Sequence, residues 1–230
     1  MKRFIEYMLI AFFSVIMVVA GYQLFQIWKE YHEAGEEYHT LKQFVKEPED
    51  HSDETPEDDS ESEELENIID FESLKQINPD IVAWLKIEAA GIDYPVVQGE
   101  DNEHYLHYTF RGEANIAGSI FMDYRNHAEL TDERVILYGH NMRDGSMFAA
   151  LKDLEIIKEP VAVLYTPEHI LRYRLVAEKY VSPSDEIYQI TDNITLESEK
   201  KTENLSKELI LSTCSSDASR RLILIGEREN

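Results

Sequence analysis

Two apolar runs near the C-terminus, Glu208-Leu209-Ile210-Leu211-Ser212-Thr213-Cys214 and Arg220-Arg221-Leu222-Ile223-Leu224-Ile225, indicate how this 230-residue chain folds. Each run is short and has polar neighbours, which predicts two buried strands joined by a short loop. Cys214, the only cysteine, ends the first strand, and the returning chain brings Arg220 or Arg221 beside it. A nearby guanidinium favours the nucleophilic thiolate. The alternative is a buried core cysteine, which is the commoner state of a free thiol.

A thiolate nucleophile needs a partner that carries a proton to its leaving group, and histidine is the usual choice. His140 follows the strand-like run Val135–Tyr138 through Gly139 and precedes a turn, so it stands at a strand end. The other histidines lie in polar, linker, charged or turn sequence: His32, His39, His51, His104, His107, His127 and His169. His140 is therefore the predicted proton carrier.

At these residues the chain resembles the sortases, and specifically the class B sortases. The motifs that carry the resemblance are Ile92–Gln98, Asp101-Asn102 with Tyr105-Leu106, Gly118–Arg125, Tyr138-Gly139-His140-Asn141-Met142 with Asp144–Phe148, Leu211–Cys214 and Arg221–Ile223. They extend over the chain from Ile68 to the C-terminus, and their joint presence in this order makes the match specific. The resemblance implies a membrane-anchored cysteine transpeptidase with an eight-stranded β-barrel and added helices. A helix-containing connection before the cysteine strand is the class B pattern.

The resemblance also implies roles for individual residues. Cys214 corresponds to the nucleophile, His140 to the general acid/base, and Arg221 to the arginine that precedes the last apolar strand. Arg220 stays a rival to Arg221, because neighbours in a strand point to opposite faces and only one faces the cysteine. The matching substrate-lining positions are Asn102, Leu106, Tyr138 and Ser212.

No metal and no other cofactor is expected. Asp123, Asp132 and Glu133 lack the spacing of a calcium-binding loop, and we interpret them as surface or structural acids. The resemblance agrees, since class B enzymes generally do not use calcium.

The implied reaction begins with attack of the thiolate on a peptide carbonyl, and the oxyanion that forms is stabilised by an arginine and a backbone N–H. The implied donor is a C-terminal sorting signal, often of the Asn-Pro-x-Thr type, which contacts the loop between Ser182 and Lys207. The implied acceptor is an amine of a cell-wall precursor or, in pilus-building relatives, a lysine of another protein. Two alternatives remain: an exported cysteine peptidase with water as acceptor, and a membrane-tethered binding domain.

The N-terminal sequence predicts a membrane anchor. Residues 7–28 carry no charge and are long enough to cross a bilayer as a helix, for which about 20 residues suffice. A cleaved signal peptide fits less well, because its apolar region usually has about 7–15 residues. Lys2 and Arg3 precede the span, so residues 1–6 are predicted to be cytoplasmic and everything after Trp28 extracytoplasmic.

Residues 29–66 are predicted to form a stalk and an acidic linker, and residues 67–230 the catalytic domain. The segment Glu47–Glu64 has dense acids and two prolines but few apolar side chains, which favours an extended linker. A net charge of −24 argues against a nucleic-acid partner. A single cysteine permits no intramolecular disulfide, and a domain of roughly 160 residues is large enough to be held by its core.

Within the domain, Ile68–Lys75 and Asn78–Leu85 predict one or two short helices, with Asn78 as N-cap and Pro79 at the first helical position. A further helix is expected near Met147–Leu154 and another between Ile194 and Ser206. Strand-like runs lie at Tyr94–Val97, Ser119–Met122, Val135–Tyr138, Val161–Tyr165, Leu171–Val181, Glu208–Ser212 and Leu222–Ile225. Many short strands with turn signals predict a barrel or a sandwich.

Overall fold

The computed structural model of the chain describes residues 2–46, 68–190, 206–214 and 219–229, with the backbone alone at Lys2 and Cys214. Eight strands form a closed barrel in the order β1-β2-β3-β4-β7-β8-β6-β5. The strands are β1 (Ile81–Ile87), β2 (Ile92–Val97), β3 (Ile120–Met122), β4 (Arg134–Gly139), β5 (Val161–Tyr165), β6 (Ile170–Val181), β7 (Glu208–Cys214) and β8 (Arg221–Arg228). The α-helices are α1 (Lys2–Leu41), α2 (Phe71–Ile77) and α3 (His104–His107). The predicted eight-stranded barrel is thus confirmed.

Most neighbouring strands are antiparallel, but β2 and β3 are parallel, as are β4 and β7. The centre of the sheet is apolar on both faces. Leu137, Leu211 and Leu224 belong to the barrel interior, whereas Ile136 and its neighbours Ile210 and Ile223 form a second buried cluster. Burial on both faces explains why β4, β7 and β8 are continuous apolar runs rather than alternating ones.

The predicted helix over Asn78–Leu85 is wrong, because this stretch turns at Asn78 and then forms strand β1. The Asn78 amide donates to the Phe110 carbonyl and its Oδ1 accepts from the Asp80 N–H, so Asn78 closes a turn instead of starting a helix. Asp70 is the N-cap of the preceding helix α2, and Asn78 is the C-cap of that helix. A short apolar run such as Ile81–Ile87 has no periodicity that distinguishes strand from helix, and pairing with both β2 and β5 decides it.

Each of the other predicted strand-like runs corresponds to a strand, with boundaries that differ by at most a few residues. The helix expected near Met147–Leu154 is a shorter 3-10 helix over Ala149–Asp153, and further 3-10 helices lie at Lys42–Phe44, Glu88–Ala90, Ile156–Lys158 and Glu186–Tyr188. The helix expected between Ile194 and Ser206 lies outside the described residues, except for its last position.

Helix α1 has two distinct parts. Its N-terminal part is long and apolar enough to cross a membrane, and none of that apolar stretch is buried against the rest of the protein, which is consistent with a membrane anchor. Its last turns differ, because Ala34, Tyr38 and Leu41 are buried. These positions are four and three residues apart and therefore form one face of the helix, which packs on the barrel.

Hydrogen bonds tie this end of α1 to the barrel part of the chain. The Tyr38 hydroxyl donates to the Gly118 carbonyl at 2.6 Å, and burial raises its pKa, which keeps it protonated. Asn115 donates to the Glu30 carbonyl at 2.8 Å, and the Arg111 N–H donates to Glu37 at the same distance. Helix α1 and the barrel are therefore joined before the acidic segment begins.

The residues on either side of the acidic segment pair with each other. Val45 and Ile69 form an antiparallel bridge, the Lys46 N–H donates to the Ile68 carbonyl, and the Asp70 N–H donates to the Phe44 carbonyl. The predicted linker Glu47–Glu64 itself lies outside the described residues.

Candidate active site

Strand register brings three predicted catalytic positions to one edge of the barrel. In the parallel pair β4–β7, Gly139 is opposite Thr213, so the next residues, His140 and Cys214, leave neighbouring strands at the same level. Neighbouring strands lie about 4.8 Å apart. In the antiparallel pair β7–β8, Cys214 is opposite Arg221. The backbone thus gathers His140, Cys214 and Arg221, which lie far apart in sequence.

Gly139 permits the close packing beneath His140. A Cβ at this position would lie 2.5 Å from Ile120 Cδ1 and 2.8 Å from Phe148 Cγ, closer than real side chains approach. The Phe148 N–H in turn donates to the His140 carbonyl at 2.9 Å. The segment after β4 is therefore folded back against its own strand end, which holds the His140 backbone in place.

The His140 ring is oriented by a backbone carbonyl. Its Nε2 lies 2.8 Å from the Leu106 carbonyl oxygen, and because a carbonyl can only accept, Nε2 carries a proton and Nδ1 is left to exchange one. Gly118 allows this arrangement: its φ is +55°, and a Cβ there would lie 2.8 Å from the Leu106 oxygen. Sequence reasoning assigned Leu106 to substrate contact, and nothing in its residue type indicates this role of its carbonyl.

A cleft of about 460 Å³ opens beside these strand ends. Its lining includes the predicted residues Asn102, Leu106, Tyr138, His140, Ser212 and Arg221, together with Phe121, Arg125, Gly139, Pro183, Tyr188 and Thr213. Arg220, the rival of Arg221, is exposed and is not among the lining residues. All predicted substrate-lining residues therefore share one cleft with His140 and Arg221.

One wall of the cleft is organised by Asp123, whose side chain is fully buried. Arg125 contacts it with two nitrogens, Nε at 2.8 Å and Nη2 at 2.7 Å. The Tyr138 hydroxyl donates to Asp123 at 2.9 Å and the Asn102 amide at 3.0 Å. Asp123 is thus a structural acid, as one of the two sequence interpretations held, and its partners are side chains of the cleft.

Burial and hydrogen bonding act on this carboxylate in opposite directions. Burial by itself raises the pKa of Asp123, but the hydrogen bonds from Arg125, Tyr138 and Asn102 outweigh it and hold the pKa below its usual value. Burial raises the pKa of the Tyr138 phenol, and the negative charge of Asp123 raises it further. Asp123 is therefore ionised and Tyr138 protonated at neutral pH, which is the charge state that their hydrogen bond requires.

Tyr188 was not named individually from the sequence, although it lies in the predicted contact loop between Ser182 and Lys207. It lies in the connection between β6 and β7, where its hydroxyl is 2.9 Å from Ser212 Oγ and its ring stacks near Tyr138 with centroids 6.3 Å apart. Arg125 was missed too, although it belongs to the quoted motif Gly118–Arg125. An arginine two residues after an acid that directly follows an apolar run was the available signal.

Thr213 differs from these residues, because its buried Oγ1 has no hydrogen-bond partner among the described residues.

Within the same described part of the chain, no group of three or more His, Cys, Asp or Glu residues is arranged to hold a metal ion.

Comparison with known proteins agrees with this geometry. The family model for the sortase domain matches residues 85–229. Sortase B of Listeria monocytogenes is 51% identical over 83 residues, which are 36% of this chain and 34% of that protein. Sortase B of Staphylococcus aureus is 36% identical over 154 residues, 66% of this chain and 58% of that protein. The chain therefore matches about a third of one curated relative and somewhat more than half of the other.

Among solved structures, the crystal structure of sortase B from B. anthracis superposes with a TM-score of 0.66 at 25% identity, covering 89% of this chain and all of that one. The family model matches more than half of the chain, and the relatives at the level of sequence and structure are class B enzymes. The predicted resemblance is confirmed: this chain belongs to the sortase family and groups with its class B members.

Proposed function

We propose that the protein is a cysteine transpeptidase that cleaves the C-terminal sorting signal of secreted proteins and transfers the new acyl end to an amine of the cell wall. The observation that carries this proposal is the convergence of His140, Cys214 and Arg221 from three adjacent strands at the edge of one cleft. Nucleophile, proton carrier and cation within reach of one another are what acyl transfer requires.

In the first step, the Cys214 thiolate adds to the carbonyl carbon at the scissile bond, and the C–N bond then breaks to leave a thioester and an amine. His140 in its imidazolium form gives the departing nitrogen its proton. Because Nε2 is engaged with the Leu106 carbonyl, Nδ1 is the nitrogen that delivers this proton. In the second step, neutral His140 takes a proton from the incoming amine, which attacks the thioester and regenerates the Cys214 thiolate.

Arg221 is proposed to stabilise the oxyanion that forms in both steps. It stands opposite Cys214 in the β7–β8 ladder and lines the cleft. A preorganised donor at an oxyanion typically stabilises the transition state by about 2.7–4 kcal/mol. Among the described residues of the cleft lining, the other guanidinium is Arg125, which is paired with Asp123, so Arg221 is the better candidate for this role.

The sorting peptide is proposed to bind along Asn102, Leu106, Tyr138 and Ser212. These residues present amide, apolar, phenol and hydroxyl groups to the cleft, a mixture suited to an extended peptide with its backbone amides and side chains. The acceptor is proposed to be an amine of a peptidoglycan precursor, with a pilin lysine as the alternative. Neither nucleic acid nor a metal ion has a role in this scheme.

The cellular setting follows from α1. We propose that residues 7–28 span the membrane once, with residues 1–6 in the cytoplasm and the catalytic domain outside, because Lys2 and Arg3 precede the apolar stretch. The stalk and acidic segment (29–66) and the catalytic domain (67–230) are proposed to be extracytoplasmic. Secreted sorting-signal proteins and cell-wall amines are available on that side.

The test is a product analysis with the full-length protein in detergent. The protein is mixed with peptides of the Asn-Pro-x-Thr type, in which position x is an equimolar mixture of amino acids, and with a panel of amines. The products are identified by mass spectrometry. An amide product supports the transpeptidase. An acid product with every amine would indicate a peptidase, and intact peptide would favour a binding domain.

A further inference from the structure

The cleft contains a second guanidinium that the proposed chemistry does not use. Arg125 lines the cleft together with Asn102, Tyr138 and Tyr188, and its side chain is 43% exposed. It therefore contacts the space in which a peptide would lie, although it was not among the residues predicted from the sequence.

The Arg125 side chain is held in one orientation by a buried partner. Nε and Nη2 form a two-pronged contact with the fully buried Asp123 carboxylate, and Nη2 also donates to the Tyr188 carbonyl at 3.2 Å. Paired hydrogen bonds between a guanidinium and a carboxylate fix the plane of the guanidinium as well as its position. Arg125 is thus already ordered before any ligand binds.

One nitrogen of this guanidinium is left for a ligand. Nε and both hydrogens of Nη2 are used, whereas Nη1 has no hydrogen-bond partner among the described residues. Because the edge formed by Nε and Nη2 faces Asp123, Nη1 lies at the opposite edge of the planar guanidinium. Its two N–H groups are donors, so a ligand at this position must supply acceptor oxygens.

Asp123 sets the hydrogen-bonding character of the whole wall. The Tyr138 hydroxyl uses its hydrogen to donate a hydrogen bond to Asp123, so towards the cleft that oxygen can only accept. The Asn102 amide uses one N–H on Asp123 and its Oδ1 on the Tyr124 N–H, which leaves one N–H as a donor. The wall therefore offers donors from Asn102 and Arg125 beside one acceptor at Tyr138.

We propose that Arg125 is a further substrate-binding residue, whose Nη1 donates to a carbonyl oxygen of the bound peptide, and that Asp123 is the positioning residue that orients Arg125, Asn102 and Tyr138 together. This inference deepens the proposed function and rests on it for the identity of the ligand as a peptide. In this proposal, one buried carboxylate sets the positions of three side chains that contact the ligand.

The experiment measures peptide binding separately from turnover. Full-length protein carrying Cys214→Ala, in detergent, is titrated into a fluorescein-labelled peptide of the Asn-Pro-x-Thr type, with x mixed, and the dissociation constant is read from anisotropy. Adding Arg125→Ala is expected to weaken binding about tenfold, since it removes a hydrogen bond from a charged donor. Arg125→Lys is expected to recover only part of this loss, because an ammonium cannot contact both Asp123 and the peptide in the same way.

The positioning role is tested with Asp123→Asn in protein that retains Cys214. We expect KM to rise about tenfold and kcat to stay within about threefold of the parent value, because peptide binding to the Asp123 side of the cleft is weakened while the strand ends are unchanged. Alkylation of Cys214 by iodoacetamide, followed by mass spectrometry, needs no peptide and should proceed at the parent rate.

Two matched controls separate these effects from general destabilisation. Arg134 also contacts a carboxylate with Nε and Nη2, although both donate to one oxygen, Glu208 Oε2. Asp132 is as buried as Asp123 and accepts hydrogen bonds from Asn126 and His127. Neither Arg134 nor Asp132 lines the cleft. Arg134→Ala and Asp132→Asn should leave peptide affinity and KM unchanged. Equal losses in these controls would overturn the inference.

The outcomes remain distinguishable from failure of the proposed function. If the parent protein binds the peptide but never turns it over, and Arg125→Ala abolishes this binding, the transpeptidase is refuted and the binding role is kept. Unchanged affinity with Arg125→Ala refutes the binding role whatever the turnover. If Asp123→Asn does not fold, the Arg125 variants still decide, and absence of any peptide binding refutes both proposals.

Discussion

Two sides of the cleft are built in different ways. The strand-end side, formed by His140, Cys214 and Arg221, is positioned by backbone register. The Asp123 wall, formed by Asn102, Arg125 and Tyr138, is positioned by side-chain hydrogen bonds to one charge. Continuous ladders between β4, β7 and β8 hold the strand-end side. A single buried carboxylate holds the wall. One side therefore depends on many backbone hydrogen bonds and the other on a few side-chain hydrogen bonds.

This difference determines how each side responds to substitution. On the strand-end side, replacing a side chain removes a chemical group but leaves the register intact, so we expect chemistry to be lost while structure persists. On the Asp123 wall, replacing the central carboxylate removes hydrogen bonds from three neighbours at once, so we expect binding to change while chemistry persists. The following predictions test the strand-end side, from the largest effect to the smallest.

Cys214→Ala should abolish cleavage of every sorting peptide, because no other thiol is present in the chain. The fold should persist, since the β7 register does not depend on the thiol. Product formation by mass spectrometry and thermal unfolding by circular dichroism measure the two effects. Cleavage by the alanine variant would end the assignment of Cys214 as nucleophile.

His140→Ala should lower kcat by about two to four orders of magnitude, the usual contribution of a positioned acid or base. His169→Ala is the control, because His169 lies away from the cleft and faces a different cavity. Single-turnover acylation of Cys214 at several pH values is the measurement. A parent-like rate with His140→Ala would move the proton carrier elsewhere.

Arg221→Ala should lower turnover by about two to three orders of magnitude, the effect of losing one oxyanion donor. Arg220→Ala should cost little, because Arg220 does not line the cleft. Lysine at position 221 should recover part of the rate, since it restores charge without the planar fork of donors. Acylation rates of the three variants, measured side by side, decide between the arginines, and an inactive Arg220 variant would reverse the assignment.

Gly139→Ala attacks the packing beneath the strand end instead of its chemistry. The added methyl meets Ile120 and Phe148 and should destabilise the protein by about 1–3 kcal/mol, as overpacked cores do. It should also lower kcat, because His140 is the next residue. Gly35→Ala is the control, since a Cβ there meets nothing within 4 Å. Thermal melts and kcat report the two effects, and an unchanged kcat would show that His140 does not depend on this packing.

Local sequence patterns were sufficient to predict most of the barrel. Runs such as Val161–Tyr165 are short and bounded by turn signals, and they form strands with nearly the predicted ends. The exception is β1, where Ile81–Ile87 has the composition of either element and only its partners β2 and β5 decide between strand and helix. The site residues followed from strand ends and from the family motifs, and their catalytic roles stay predictions.

The packing of α1 lay beyond local sequence patterns. The charged sequence after Trp28 indicated a stalk and a linker, because composition reports only what a segment does on its own. The Tyr38 hydroxyl, however, binds the Gly118 carbonyl 80 residues further along, and Val45 pairs with Ile69. Such contacts depend on the surface of the finished barrel, which no window of sequence contains.

By itself, the sequence determined the apolar N-terminal helix, most of the strands, the family, and the candidates Cys214, His140 and Arg221, because hydrophobic periodicity, turn residues and short motifs are local properties. Only the tertiary structure decided the parallel pairing of β4 with β7, the Leu106 carbonyl that orients His140, and the gathering of Asn102, Arg125 and Tyr138 on Asp123. Each of these joins groups through strand register or hydrogen bonds that form only once the barrel has closed.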